Sequence, residues 1–468
     1  MKRFSNKYFP VLIILLLLAV ALAIPGKPDG STSSSIVHAQ GSSSISYLPL
    51  IASGPLPKKT FGMTIDTPFW DSFNPSITQG TTWTRIVLPW SAVEAVENTF
   101  NWSAVAWVEN RIKTATQNGL EVILIVDNTP TWALKLGYSC GVVAQNKFPA
   151  LQTFLTKAVE RYYQAPYSVK YWELWNEPDV SNWLGCWGQP GDPYYGGGYY
   201  GEMLKAAYPA IKSAYNGANV LVGGLLLDCD PNNPPSGKDC TPAKFLEGIL
   251  RNGGKPYFDG VSFHAYDYYR SSLGAYFNPN WNSTSNVDGP VLIKKTRYLR
   301  SLLSQFGAGD KLVMNTEVAV ICGTGTEPHC IANEFEMTKS YYIPQAYAAG
   351  IAEDLDANLW YSLMGWRGSA LIDGNFAPRP ALTAFQTAMD VLEQSHFSKK
   401  IENYPGLNGY ELIKNGMPVW VIWSIDGFVH NITLPSTPTY ILDTFGNTIP
   451  VNGLEMQIGL QPIYVGWN

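Results

Sequence analysis

Between Thr60 and Leu392 one alternation recurs eight times: a short β-rich apolar run, a polar or aromatic loop, then a helical stretch. The apolar runs are Thr60–Ile65, Thr84–Leu88, Glu121–Val126, Lys170–Trp175, Val220–Leu227, Gly260–Phe263, Lys311–Asn315 and Ala357–Leu363. The stretches between them carry apolar residues at i, i+3, i+4 spacing. Ala104 to Asn118 does so and stops at Gly119; Leu151 to Tyr163 and Tyr200 to Tyr215 repeat it. Strands alternating with helices make parallel βαβ units. Eight such units imply an α/β fold, a (β/α)8 TIM barrel. An open doubly wound sheet is the competing arrangement. Its dinucleotide loop is missing, because the cluster Gly196–Gly198 has the wrong neighbours.

After His396 the texture changes to short β-type runs: Tyr410–Ile413, Val419–Ser424, His430–Leu434, Thr439–Leu442 and Met456–Tyr464. Turn pairs such as Asn415-Gly416 and Asn452-Gly453 separate them, which predicts a small C-terminal all-β sandwich. The expected division is residues 1–39 signal peptide, 40–58 linker or leading strand, 59–394 barrel and 395–468 sandwich. Tyr47–Ile51 is the piece of the linker apolar enough to add an edge strand.

The signal peptide rests on basic Lys2, Arg3 and Lys7 followed by the apolar run Val11–Ile24, too short for a membrane span. Small-residue cleavage sites end at Ala23 and Ala39. A cut after Ala39 removes four basic residues and one acid, taking the net charge from −5 to −8. Only 15% of residues are charged and no basic block exists, so nucleic acid is not an expected partner. No later segment is apolar enough for a membrane, and a secreted monomer is expected.

All six cysteines fall in the exported part, where disulfides are the default. Proximity favours Cys229–Cys240 and Cys322–Cys330, leaving Cys140–Cys186; all six follow apolar runs, on the expected catalytic face. No Cys/His cluster has metal-ligand spacing, and neither metal nor cofactor is expected.

Two apolar runs end in carboxylates. Tyr171-Trp-Glu-Leu-Trp-Asn-Glu-Pro-Asp179 ends the fourth in Glu177, and Leu312-Val-Met-Asn-Thr-Glu317 ends the seventh. Strand C-termini open onto the catalytic face of a barrel, so both acids point to one cleft. A pair of carboxylates, one protonated and one ionised, is what glycoside hydrolysis needs. His264 and Tyr266, two apart at the sixth strand end, share a face. Aromatic residues crowd the loops on this side, among them Trp132, Trp183, Trp360 and Trp366, and flat rings suit the apolar faces of sugars.

Asn176-Glu177-Pro178 on strand four, with Glu317 ending strand seven, resembles the clan of retaining (β/α)8 glycoside hydrolases (clan A). Arg85-Ile-Val-Leu-Pro-Trp90, Asn128-Thr-Pro-Thr-Trp-Ala133 and Phe258-Asp-Gly-Val-Ser-Phe-His-Ala-Tyr266 resemble its second, third and sixth strand regions. The likeness runs from about Phe61 to Trp366. It is nearest to family 39, with families 5 and 30 as competitors. The resemblance implies Glu177 as acid/base and Glu317 as nucleophile of a double displacement. It implies that Asn176 bonds the sugar 2-hydroxyl and that Arg85 orients Glu317. Trp360 or Trp366 would be the platform under the reacting sugar. Tyr266 would bond Glu317, and His264 a sugar hydroxyl. The expected substrate is a β-linked oligo- or polysaccharide. A non-catalytic carbohydrate-binding barrel is the alternative.

Overall fold

A computed structural model of the chain describes residues 58–181 and 184–467. The expected signal peptide, the linker with Tyr47–Ile51, and Trp183 lie outside the described residues.

Eight parallel strands form the barrel: β1 (Phe61–Met63), β2 (Trp83–Pro89), β3 (Glu121–Asp127), β4 (Tyr171–Asn176), β5 (Asn219–Leu225), β6 (Gly260–Tyr269), β7 (Leu312–Ile321) and β8 (Ala357–Trp360). Each pairs with the next, and β8 pairs with β1, so the sheet closes. The outer helices obey the apolar spacing of the sequence. Ala106–Gln117 buries Val108, Ile112 and Ala115, one face of a 3.6-residue period. It stops where Gly119 takes φ +80°. Gly119 N–H then donates to Thr116 O and Leu120 N–H to Ala115 O, the glycine-dependent helix stop. Among the described residues no helix is long and apolar enough to cross a membrane.

One layer of side chains plugs the barrel: Trp83, Ile123, Leu221, Met314, Ala357 and Leu359. Side chains alternate along a strand, so the next inward position above Trp83 is Arg85, and Glu173 stands two residues above Tyr171. The apolar plug thus carries a charged layer on top of it.

The C-terminal strands are β9 (His396–Lys400), β10 (Leu407–Lys414), β11 (Met417–Ser424), β12 (His430–Thr433), β13 (Tyr440–Asp443), β14 (Glu455–Ile458) and β15 (Ile463–Gly466). Five form an antiparallel sheet in the order β9-β10-β11-β15-β13, and β12 pairs with β14. On β11 the alternation is complete. Trp420 and Ile422 face the ribbon of β12 and β14, while Val419, Val421 and Trp423 join the core of the barrel. The run expected over Met456–Tyr464 is two strands in two different sheets, parted at Gly459–Pro462.

Candidate active site

Glu177 follows the last residue of β4, where the chain turns out of the sheet with φ +45°. A left-handed non-glycine residue costs about 1 kcal/mol or more and is held only by its surroundings. Here Glu177 N–H donates to Gly224 O at 2.9 Å, and Pro178 leads the chain away. Glu317 reaches the same space by another device. Phe263 pairs with Asn315 but His264 with Glu317, so Thr316 is an extra residue in β7. The slip reverses the alternation beyond Met314 and turns Glu317 inward.

The two carboxylates and His264 meet, with a donor atom of each within 4.8 Å of the others. His264 Nδ1 lies 2.7 Å from Glu177 Oε1 and 3.4 Å from Glu317 Oε2. Arg85 Nη1 donates to Glu317 Oε1 at 2.5 Å, and Tyr266 O–H donates to Glu317 Oε2. Arg85 also bonds Glu173 and, at 2.8 Å, Asn176 Oδ1. Burial works against the guanidinium's charge, but its carboxylate neighbours Glu173 and Glu317 outweigh it and raise its proton affinity, so it stays charged.

Burial pushes the Glu177 carboxyl up to about 7, against the pull of Arg85 and Lys295. Burial lowers the His264 imidazole to about 4, so the ring is neutral at pH 7. Two carboxyls at one site are therefore held differently: Glu177 retains a proton near neutrality, while Glu317 has a cation on one oxygen and a phenol on the other. That asymmetry is the electronic requirement for an acid and a nucleophile side by side.

The cavity above them is about 370 Å³. Tyr266, Tyr268, Tyr361 and Trp366 supply rings to it, Leu184, Leu226 and Ile321 supply aliphatic surface, and Asn176 and Asp228 supply polar groups. Trp366 is 46% exposed and stands edge-on to Tyr266 at 5.5 Å. Trp360 is fully buried, its indole N–H donating to Ser369 O at 2.9 Å, and it does not line the cavity. Trp132 packs edge-on against Trp90 and donates to Glu94 O, also outside the cavity lining. His264 is fully buried under Gly224 and bonds Glu177; no face of it is open to a sugar hydroxyl. Glu173, Tyr361 and Asp228 belong to the site and escaped the sequence reading. Glu173 carried a signal: a carboxylate inside an apolar parallel strand needs a buried partner, and Arg85 stood in the same predicament.

Glu177, His264 and Glu317 are also the kind of side chains that hold a cation. Both oxygens of Glu317 already accept, from Arg85 and Tyr266, so the carboxylate's charge is matched by a guanidinium. Cys322, His329 and Cys330 form a second cluster, but its two sulfurs are joined to each other. The disulfides are Cys140–Cys186, Cys229–Cys240 and Cys322–Cys330.

No family model matches the chain, and no curated protein matches it. Solved structures do. One is a family 39 glycoside hydrolase from the gut symbiont Bacteroides cellulosilyticus WH2, at TM-score 0.66 and 16% identity, covering 88% of this chain and 81% of the other. A GH30 endoxylanase from Clostridium papyrosolvens C71 aligns at TM-score 0.59 and 12% identity, over 88% and 98%. AbfB, a family 51 α-L-arabinofuranosidase from Bifidobacterium longum, aligns at TM-score 0.55 and 14% identity, over 88% and 96%. At such identities the likeness is one of fold.

Proposed function

We propose that the chain is a secreted retaining glycoside hydrolase acting on β-linked oligo- or polysaccharide, with Glu177 as acid/base and Glu317 as nucleophile. The observation that carries this reading is that one oxygen of each carboxylate lies within 4.8 Å of the other, with unlike partners. Retaining enzymes set their carboxyls about 5–5.5 Å apart, whereas inverting ones leave about 6.5–9.5 Å for a water. His264 Nδ1 lies 2.7 Å from Glu177 Oε1. In the tautomer that carries its proton on Nδ1 the ring donates to Oε1, and the carboxyl proton sits on Oε2 for the leaving oxygen. Glu317 attacks the anomeric carbon, and the glycosyl-enzyme ester cancels its charge. Arg85 holds Glu317 in line, and Asn176, fixed by the same guanidinium, is the group for the sugar 2-hydroxyl. Trp366 and Tyr361 are the rings for the sugar face. Export is supported by the apolar N-terminal run and by three disulfides. Residues 59–394 are assigned to the catalytic barrel and 395–468 to a sandwich that braces it.

The test is sugar release by the exported chain from a panel of β-linked polysaccharides and aryl glycosides. Xylan heads the panel because one structural neighbour is an endoxylanase. Glu177→Gln should lower turnover about 10²–10⁴-fold, the usual worth of a positioned general acid. Glu317→Gln should abolish it, and proton NMR of the first product should find the anomeric configuration unchanged. A folded wild-type chain that binds a panel member yet releases nothing from any would overturn the reading in favour of a binding barrel.

A further inference from the structure

One buried ammonium has no part in the mechanism above. Lys295 stands on the helix Leu292–Gln305 and is 3% exposed. Its Nζ donates to Leu226 O at 2.7 Å and to His264 O at 2.8 Å. Leu226 lines the catalytic cavity, and His264 holds Glu177. Both hydrogen bonds therefore end on the backbone of site residues, one just beyond the end of β5 and one midway along β6.

Four acids act on Lys295 through space: Glu177 after β4, Asp179 in the loop beyond it, Asp228 beyond β5, and Asp267 on β6. The neutral His264 ring and the Trp281 ring, 5.8 Å away, complete its surroundings. Asp179 accepts from Leu226 N–H and Leu227 N–H, and Asp267 from Val291 N–H and Tyr342 O–H. Asp228 pairs with Lys238 at 3.1 Å. Glu177 is the one of the four whose charge must change during turnover. Besides Lys295 it faces Arg85, His264, Glu317, Asp179 and Asp228.

We propose that Lys295 is a positioning residue of this site. Its ammonium ties Leu226 to His264 and supplies the field in which Glu177 ionises after giving up its proton. The proposal rests on reading Glu177 as the acid/base. Burial alone holds the proton on a carboxyl too firmly for it to be handed to a leaving oxygen; an opposite charge nearby eases that release, and in a buried site salt screens it little.

The test is a 13C NMR titration of glutamate carboxyls in the full chain, with the Glu177 signal assigned by its absence in Glu177→Gln. Lys295→Gln removes the charge and keeps an amide to bond the carbonyls; Lys295→Arg keeps the charge. The Glu177 midpoint should rise by about one pH unit in Lys295→Gln and stay in place in Lys295→Arg. The basic limb of kcat/KM should move up with it, and kcat should fall more than KM rises. An unmoved midpoint in a Lys295→Gln chain that melts like wild type overturns the proposal. Loss of folding in both variants does so too, since Lys295 is then a strut alone. The carboxyl signal needs no substrate. A midpoint that moves in a chain that hydrolyses nothing would leave the Lys295 coupling standing and remove the glycosidase reading.

Discussion

His264 occupies its place because residue 224 has no side chain. A Cβ on Gly224 would stand 2.2 Å from His264 Nε2, and one on Gly223 would stand 2.1 Å from the Trp175 carbonyl. Gly224→Ala should push the imidazole off Glu177. Overpacking of this kind costs about 1–3 kcal/mol, measurable as a shifted urea midpoint, and kcat/KM should fall with it. An unchanged midpoint and rate would mean that the ring can move without loss. The same site divides what sequence reading reaches from what it misses. Glu177 and Glu317 stand out because each ends an apolar run, and strand C-termini share one face. Arg85 stands out instead as a charge inside an apolar strand, and Tyr266 by its spacing of two from His264. His264 was legible as a site residue but not in its role. Whether a ring meets a sugar or a carboxylate depends on the facing strand, here on Gly224. Trp360 and Trp366 were indistinguishable for a similar reason. The apolar run Ala357–Leu363 continues past the strand end at Trp360, and burial of that indole is decided by Ser369, nine residues on.

At the scale of elements, all eight barrel strands were legible because each is an apolar run of ordinary strand length between breakers. The slip at Thr316 was not: an extra residue leaves no mark on an apolar pattern, although it decides which way Glu317 points. Nor was β9, whose Ser398-Lys399-Lys400 is solvent-facing and reads as loop. The disulfides staple loops, and their spans differ. Cys140–Cys186 closes 46 residues and joins the loop after β3 to the loop after Glu177; the others close 11 and 8. Chain-entropy arguments give the first about 4 kcal/mol and the others about 2.5–3. Gly185, next to Cys186, lies under the carbonyls of Asn176 and Glu177. Replacing Cys140 and Cys186 by Ser should therefore lower Tm more than either other double replacement, and it alone should also reduce kcat. If removal of Cys322–Cys330 costs as much stability, loop length is not what governs these bonds.

Over the whole molecule the sandwich and the barrel share a core, since Tyr410, Leu412, Val419, Val421, Trp423 and Tyr464 pack with barrel residues. The helix Asn333–Ala352 is buried along nearly its full length, with the barrel on one side and β9 to β11 on the other. Melting should then report one cooperative unit, and its pH dependence should report the buried charges. Burial raises Glu177, Asp179 and Asp267 to about 7, and Asp127 to about 6. Between the ordinary carboxylate range and those values the folded chain holds protons that the unfolded chain releases. Their stabilisation is complete at low pH and is lost as pH rises toward 7. His264, lowered to about 4, works the other way: its contribution is present above about 6.5 and fades as pH falls. Four groups outweigh one. The exposed Glu327 and Asp426, lowered to about 2, are ionised in both states above pH 5 and leave the slope alone. Tm should thus be higher at pH 5 than at pH 7.5, by roughly 2–5 °C at equal ionic strength. Asp267→Asn, which removes one of the four titrations, should flatten that slope whatever it does to Tm itself. A Tm that rises from pH 5 to 7.5 would mean that these carboxyls are ionised in the folded chain, and with them Glu177, whose proton the proposed chemistry requires.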